Sequence, residues 1–152
     1  MRPMSVREVP GPVDQLRLEA ELPAPPERVF AYFVEPELLG RWWAPQAEVD
    51  GRPGGDYVLS WPIQKWHLRG EYTEFDPPQR IAFSWSWDHE PDLPTRHVAI
   101  VLEATSEATT RLRLIHGAYG ASRVEQADRA SHREGWLHFL PRLAAELVRG
   151  QS

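Results

Sequence analysis

Six histidines and seven tryptophans are the residues whose chemistry asks for an explanation. The histidines His67, His89, His97, His116, His132 and His138 invite a metal reading. No two of them stand at the H-x-H spacing of a strand or the H-x₃-H spacing of a helix turn that would aim both at one ion. The sequence has no cysteine, so thiolate ligands, disulfides and thiol nucleophiles are all excluded. No metal site and no cofactor are expected. General acid–base chemistry would need a base beside an acid in a pocket. The inward candidates are His116 with His132 or Tyr72, with Glu74 in reach of a pocket mouth. A hydrogen-bonded core histidine is the simpler reading of His116.

The tryptophans Trp42, Trp43, Trp61, Trp66, Trp85, Trp87 and Trp136 admit two readings. Large aromatic rings dominate core packing in general. Alternatively, several line a cavity, where each indole offers rigid apolar surface and one N–H donor. A dry apolar cavity of ~300 Å³ would cost roughly 7 kcal/mol, comparable with the ~5–15 kcal/mol net stability of a whole domain. Either the rings fill the space, or something occupies it.

The elements that must position these residues follow from periodicity. Residues 1–12, with three prolines and no period, read as a loose tail, leaving 13–150 as one domain. "QLRLEAEL" alternates as a strand. Pro26 suits the first turn of a helix carrying Val29, Phe30 and Phe33, and Pro36 ends that helix and opens a short second one with Leu38, Leu39 and Trp42. Helical spacing puts Trp42 in the core and Trp43 on the rim of an opening. From about residue 46 the period becomes two. "AEVD", "DYVLSW", "WHLRGEYTEF", "RIAFSWSW", "HVAIVLEA" and "RLRLIH" are six strands joined by short turns, with Tyr72, Phe83, Trp85, Trp87 and His116 on the apolar side. A helix within 122–149 closes the chain. Ser122 with Glu125, or Ser131 with Glu134, forms its capping box; His132 and Trp136 lie on its apolar face, and Pro141 is expected to kink it. The fold is therefore α+β, ordered β-α-α-β₆-α, with a curved seven-stranded antiparallel sheet around a long C-terminal helix.

Composition narrows the function. A net charge of −5 gives no general pull toward nucleic acid, and Arg111 and Arg113 read as a solvated strand face. "GRPGG" is a hairpin turn rather than a phosphate loop. No signal-like or membrane-spanning apolar run is present, so a cytoplasmic location without membrane insertion is expected.

The segments "APPERVFAYFVEPELLGRWWAP", "RPGGDYVL", "GEYTEFDPPQRIAFSW", "TRLRLIH" and "GWLHFLPRLAAEL", in that order, resemble the START-like (SRPBCC) superfamily with its helix-grip fold. Within it the chain resembles the bacterial family named for homology to activators of the heat-shock-protein-90 ATPase. The resemblance implies an internal cavity for small, often hydrophobic molecules. The expected function is binding of a small hydrophobic or aromatic ligand between sheet and C-terminal helix, by Trp43, Trp66, Tyr72, Phe83, Trp85, Trp87, His116, His132 and Trp136. Two alternatives stand beside it: a chaperone-interaction module using a surface patch around Trp43, and a cyclase- or hydrolase-like enzyme using His116. A homodimer is left open.

Overall fold

The computed structural model describes residues 6–150. Strict alternation builds its sheet. β2 (Gln15–Leu22) buries every second residue, with Leu16, Leu18, Ala20 and Leu22 inside, and β4 (Asp56–Trp61), β6 (Arg80–Trp87) and β8 (Thr109–Gly117) follow the same pattern. β3 (Gln46–Val49), β5 (Trp66–Asp76) and β7 (Arg96–Ser106) complete the expected set. An eighth strand, β1 (Val6–Glu8), pairs antiparallel with β2 and lies within the stretch that the sequence reading gave to a loose tail. Three residues are too few to show a period, and their pairing supplies what propensity does not. Residues 1–5 of that stretch lie outside the described residues. All neighbouring strands are antiparallel, in the order β1-β2-β8-β7-β6-β5-β4-β3.

Two helices leave the sheet between β2 and β3. α1 (Pro26–Val34) and α2 (Pro36–Trp42) each begin on a proline, whose missing N–H costs nothing in a first turn. α3 (Arg123–Arg149) closes the fold, about 40 Å long at 1.5 Å per residue. Ser122 caps it, its hydroxyl accepting from the Glu125 N–H at 3.1 Å. Pro141 lies inside α3, as the apolar spacing on both sides of it implied. The inner face of α3 buries His132, Trp136, Leu140, Leu143 and Leu147 against the sheet.

Trp42 and Trp43 both point inward, against the expectation that Trp43 lies on the rim. Trp42 ends α2, and Trp43 adopts a non-helical backbone at the cap (φ −125°, ψ −73°), so the helical 100° step does not separate them. Their rings lie 5.3 Å apart, and Trp43 is only 8% exposed. The Trp42 indole donates to the Tyr32 carbonyl at 2.9 Å, and the Trp61 indole to the Trp43 carbonyl at 3.1 Å. The first bond ties α2 to α1, and the second fastens the end of α2 to β4.

One glycine fixes how closely strands β4 to β6 can be packed. Tyr57 of β4 lays its ring across Gly70 of β5 and donates its hydroxyl to the Ser84 carbonyl of β6 at 2.6 Å. A Cβ at residue 70 would meet the Ser84 oxygen at 2.0 Å and the Tyr57 ring at 2.6 Å. Gly70→Ala should therefore cost about 1–3 kcal/mol by overpacking, read as a lowered urea midpoint at unchanged m-value.

Candidate functional site

On α3, residues Asp128, Ser131, His132, Gly135, Trp136 and Phe139 recur at three- and four-residue intervals and share one side of the helix. Opposite them stand Trp85 and Trp87 of β6, Trp61 of β4, Trp66 at the start of β5, and Trp43. These groups enclose a cavity of about 410 Å³, which Gln64, His89 and Glu90 help to line. Its walls grade from depth to mouth: Trp85 is 6% exposed, Trp87 half-buried and Trp66 42% exposed. The rings form a connected cluster. Trp43 lies 5.1 Å from Trp136 and 6.0 Å from Trp85; Trp61 lies 5.3 Å from Trp87, and Trp66 stacks on His89 at 5.2 Å.

The structure thus brings six of the nine expected ligand residues to one cavity: Trp43, Trp66, Trp85, Trp87, His132 and Trp136. Tyr72 and Phe83 are not among its walls. With Phe33, Tyr57 and Leu59 they surround a separate void of about 10 Å³, and Trp43 borders both spaces. The correct parity of Tyr72 and Phe83 put them inside, but farther along the sheet. His116 is fully buried behind the wall rather than on it. Glu74 follows a register shift in β5, is exposed, and does not line the cavity.

Behind the cavity lies a polar cluster that strand parity alone did not reveal. Arg96, at the start of β7, is 2% exposed. Its guanidinium donates to Glu125 Oε1 at 2.6 Å and Oε2 at 3.0 Å, to Asp128 Oδ2 at 2.9 Å, and to the Ala118 carbonyl at 2.7 Å. It also lies 4.7 Å from the Tyr119 ring centre. Glu125 does not close a box on Ser122. Its carboxylate takes Arg96 and the Gly120 N–H instead, and these bonds hold its pKa down at about 2. The readable signal was Arg96 itself, two residues before Val98 and hence on the inward parity.

Two histidines complete the cluster, stacked 4.4 Å apart with rings 4° from parallel. Trp136 Nε1 donates to His116 Nδ1 at 3.0 Å, so the proton of neutral His116 resides on Nε2. Burial, with His132 and Arg96 nearby, pushes its pKa well below the ordinary value. Burial keeps the Tyr119 hydroxyl protonated, and it donates to His132 Nδ1 at 2.7 Å. His132 Nε2 faces Asp128 Oδ1 at 3.5 Å. Burial pushes His132 down to about 4, opposed by Asp128 and reinforced by Arg96. Both imidazoles are therefore neutral at pH 7. Within the wall, His132 thus has Tyr119 at Nδ1 and Asp128 beside Nε2. Among the described buried side-chain atoms, Trp85 Nε1 and His116 Nε2 have no hydrogen-bond partner.

Elsewhere, Arg111 and Arg113 pair with Glu19, Glu21 and Glu103 across β2, β8 and β7, so the basic "RLR" strand face is neutralised. Among the described residues no group of histidine and carboxylate side chains could hold a metal, and no helix is long and apolar enough to cross a membrane.

A curved antiparallel sheet gripping a long C-terminal helix, with a cavity between them, is the helix-grip architecture. Residues 23–148 match the family described as activator of Hsp90 ATPase homolog 1-like proteins, and the chain belongs to that family. Proteins of this START-like fold commonly bind hydrophobic ligands. Among solved structures, it is similar to a protein of the dynemicin biosynthetic locus, at 24% identity and TM-score 0.78 over 91% of this chain. The chain spans about half of that protein, 49% of its length. It is similar to an Hsp90 activator from Plasmodium falciparum, at 26% identity and TM-score 0.72, covering 88% of this chain and 95% of that one. A protein from Mycobacterium smegmatis shows 24% identity and TM-score 0.76 over 94% of this chain and 97% of its own. No curated protein matches the chain.

The cluster gives stability a defined pH dependence. A histidine whose pKa is depressed by folding takes its proton more readily in the unfolded chain. Stability is therefore complete above the ordinary value of 6.5 and declines as pH falls toward about 4 through His132, with His116 adding to the same decline. Each histidine contributes at most about 1.4 kcal/mol per pH unit. Glu125 adds a further loss as pH falls from 4.5 through about 2. Urea midpoints measured from pH 8 to pH 3 should fall below pH 6.5, with a shallower slope in His132→Gln. Separately, Arg96→Met strands the Asp128 carboxylate inside and should cost about 3–5 kcal/mol at pH 7.

Proposed function

We propose that this protein is a binding protein that encloses one small hydrophobic or aromatic molecule between its sheet and α3. The observation that carries the reading is the cavity of about 410 Å³ with six of the seven tryptophans in its walls. An apolar ligand filling it would cover the indole surface the cavity leaves open to solvent, worth about 25 cal/mol per Å². Trp85 Nε1, a buried donor on a lining residue without an acceptor, suits a ligand oxygen. Neither alternative has comparable support. Trp43, the expected centre of a chaperone-binding patch, is buried, and the exposed large apolar residues Val13, Ile63, Trp66, Ile115, Val124 and Val148 are spread over two loops, β5, β8 and the two ends of α3. His116, the expected catalyst, is sealed behind the wall.

Gly135 is one of the lining residues that sequence reasoning missed. It sits mid-helix, where glycine costs about 1 kcal/mol relative to alanine. A Cβ there would meet nothing within 4 Å, and the residue lines the cavity. Its bare backbone keeps that wall open. Its signal was the glycine inside the helical run "REGWLHF". The neutral probe N-phenyl-1-naphthylamine should gain fluorescence and quench tryptophan emission on binding the wild-type protein. In Gly135→Leu, whose side chain projects into the cavity, affinity should fall about tenfold or more while thermal stability is kept or rises by up to about 1 kcal/mol. Uptake of the probe unaffected by Gly135→Leu, or no uptake by wild type, would contradict the reading.

A further inference from the structure

We infer that the cavity selects organic ammonium cations over neutral or anionic molecules of the same size. The inference rests on the proposed binding function and names the ligand's charge. Three observations support it.

The first is ring geometry. At the mouth the Trp66 and Trp87 rings stand 68° apart with centroids at 6.0 Å, and deeper in, Trp85 and Trp87 stand at 89° and 5.7 Å. Rings set edge to face around a space present π faces from several directions, an arrangement suited to enclosing a compact cation. The face of an indole is the best cation–π partner among the side chains.

The second is formal charge. Among the described residues, no lysine or arginine lines the cavity, whereas Glu90 and Asp128 do. Glu90 is half-buried and has no ion-pair partner among the described residues. Asp128 shares the single guanidinium of Arg96 with Glu125, so that cluster carries one negative charge in excess. A neutral ligand would leave both excess charges uncompensated, and an anion would be repelled.

The third is that the wall's two buried histidines add no positive charge to that of Arg96, which Glu125 and Asp128 together outweigh. His132 lines the cavity and is held neutral by burial, and its stacking partner His116 is neutral too. The cation would sit near the mouth, beside Glu90 and over the indole surface of Trp66 and Trp87, with its apolar remainder directed inward toward Trp85 and Trp136.

The test compares three ligands of similar size by calorimetry at pH 8 and low salt: (4-hydroxybenzyl)trimethylammonium, its carbon isostere 4-neopentylphenol, and 4-hydroxyphenylacetate. Desolvation favours the isostere, so the comparison is stringent. The cation should bind about tenfold or more tightly than either other ligand. Glu90→Gln should weaken the cation about fivefold relative to 4-neopentylphenol. If 4-neopentylphenol binds wild type as tightly as the cation, or if Glu90→Gln leaves the cation's affinity intact, charge selection is overturned while the enclosed pocket stands. If none of the three binds, both readings fail together.

Discussion

The Arg96 guanidinium is the contact on which the rest of the arrangement depends. It joins the start of β7 to two successive turns of α3 through Glu125 and Asp128, and to the chain leaving β8 through the Ala118 carbonyl. A buried charge is expensive unless its partners are well placed, and removing one partner costs more than the pair contributes. That asymmetry makes the cluster a positioning device. With the first turns of α3 fixed, Asp128, His132, Gly135, Trp136 and Phe139 are held at one distance from β6, and the tryptophans border the space that results.

The same cluster decides what chemistry the site can perform. Arginine beside two histidines, all buried, keeps both imidazoles neutral. His132 spends its nitrogens on Tyr119 and Asp128, and His116 takes the Trp136 indole. In the proposed binding role these groups stiffen the wall, and recognition would fall to indole faces, a few carboxylates and shape.

Much of the sheet was legible because period-two alternation is dictated by a half-buried face: β2, β4, β6 and β8 show it, and its parity put Trp85 inside correctly. The resemblance to the helix-grip family fixed the place of α3 against the sheet. Periodicity failed where it has no purchase. β1 is three residues long, and Trp43 sits where helical geometry stops. Depth along the sheet is invisible to parity, so Tyr72 and Phe83 were grouped with residues of another space. Glu90 lies in a loop without a period, and Gly135 matters for what it lacks. Arg96 was legible in principle, but a charged residue on an inward parity is recognised only once its two carboxylates are seen beside it.

The central claim is that the gap between sheet and helix is a space for a guest. A crystal structure of the wild-type protein soaked with N-phenyl-1-naphthylamine tests this directly. The account predicts density for the probe bounded by Trp87, Gly135 and Trp136, with Arg96 still bound to Glu125 and Asp128. Indoles collapsed into a solid core, with the probe absent or held only on the outer surface, would contradict it.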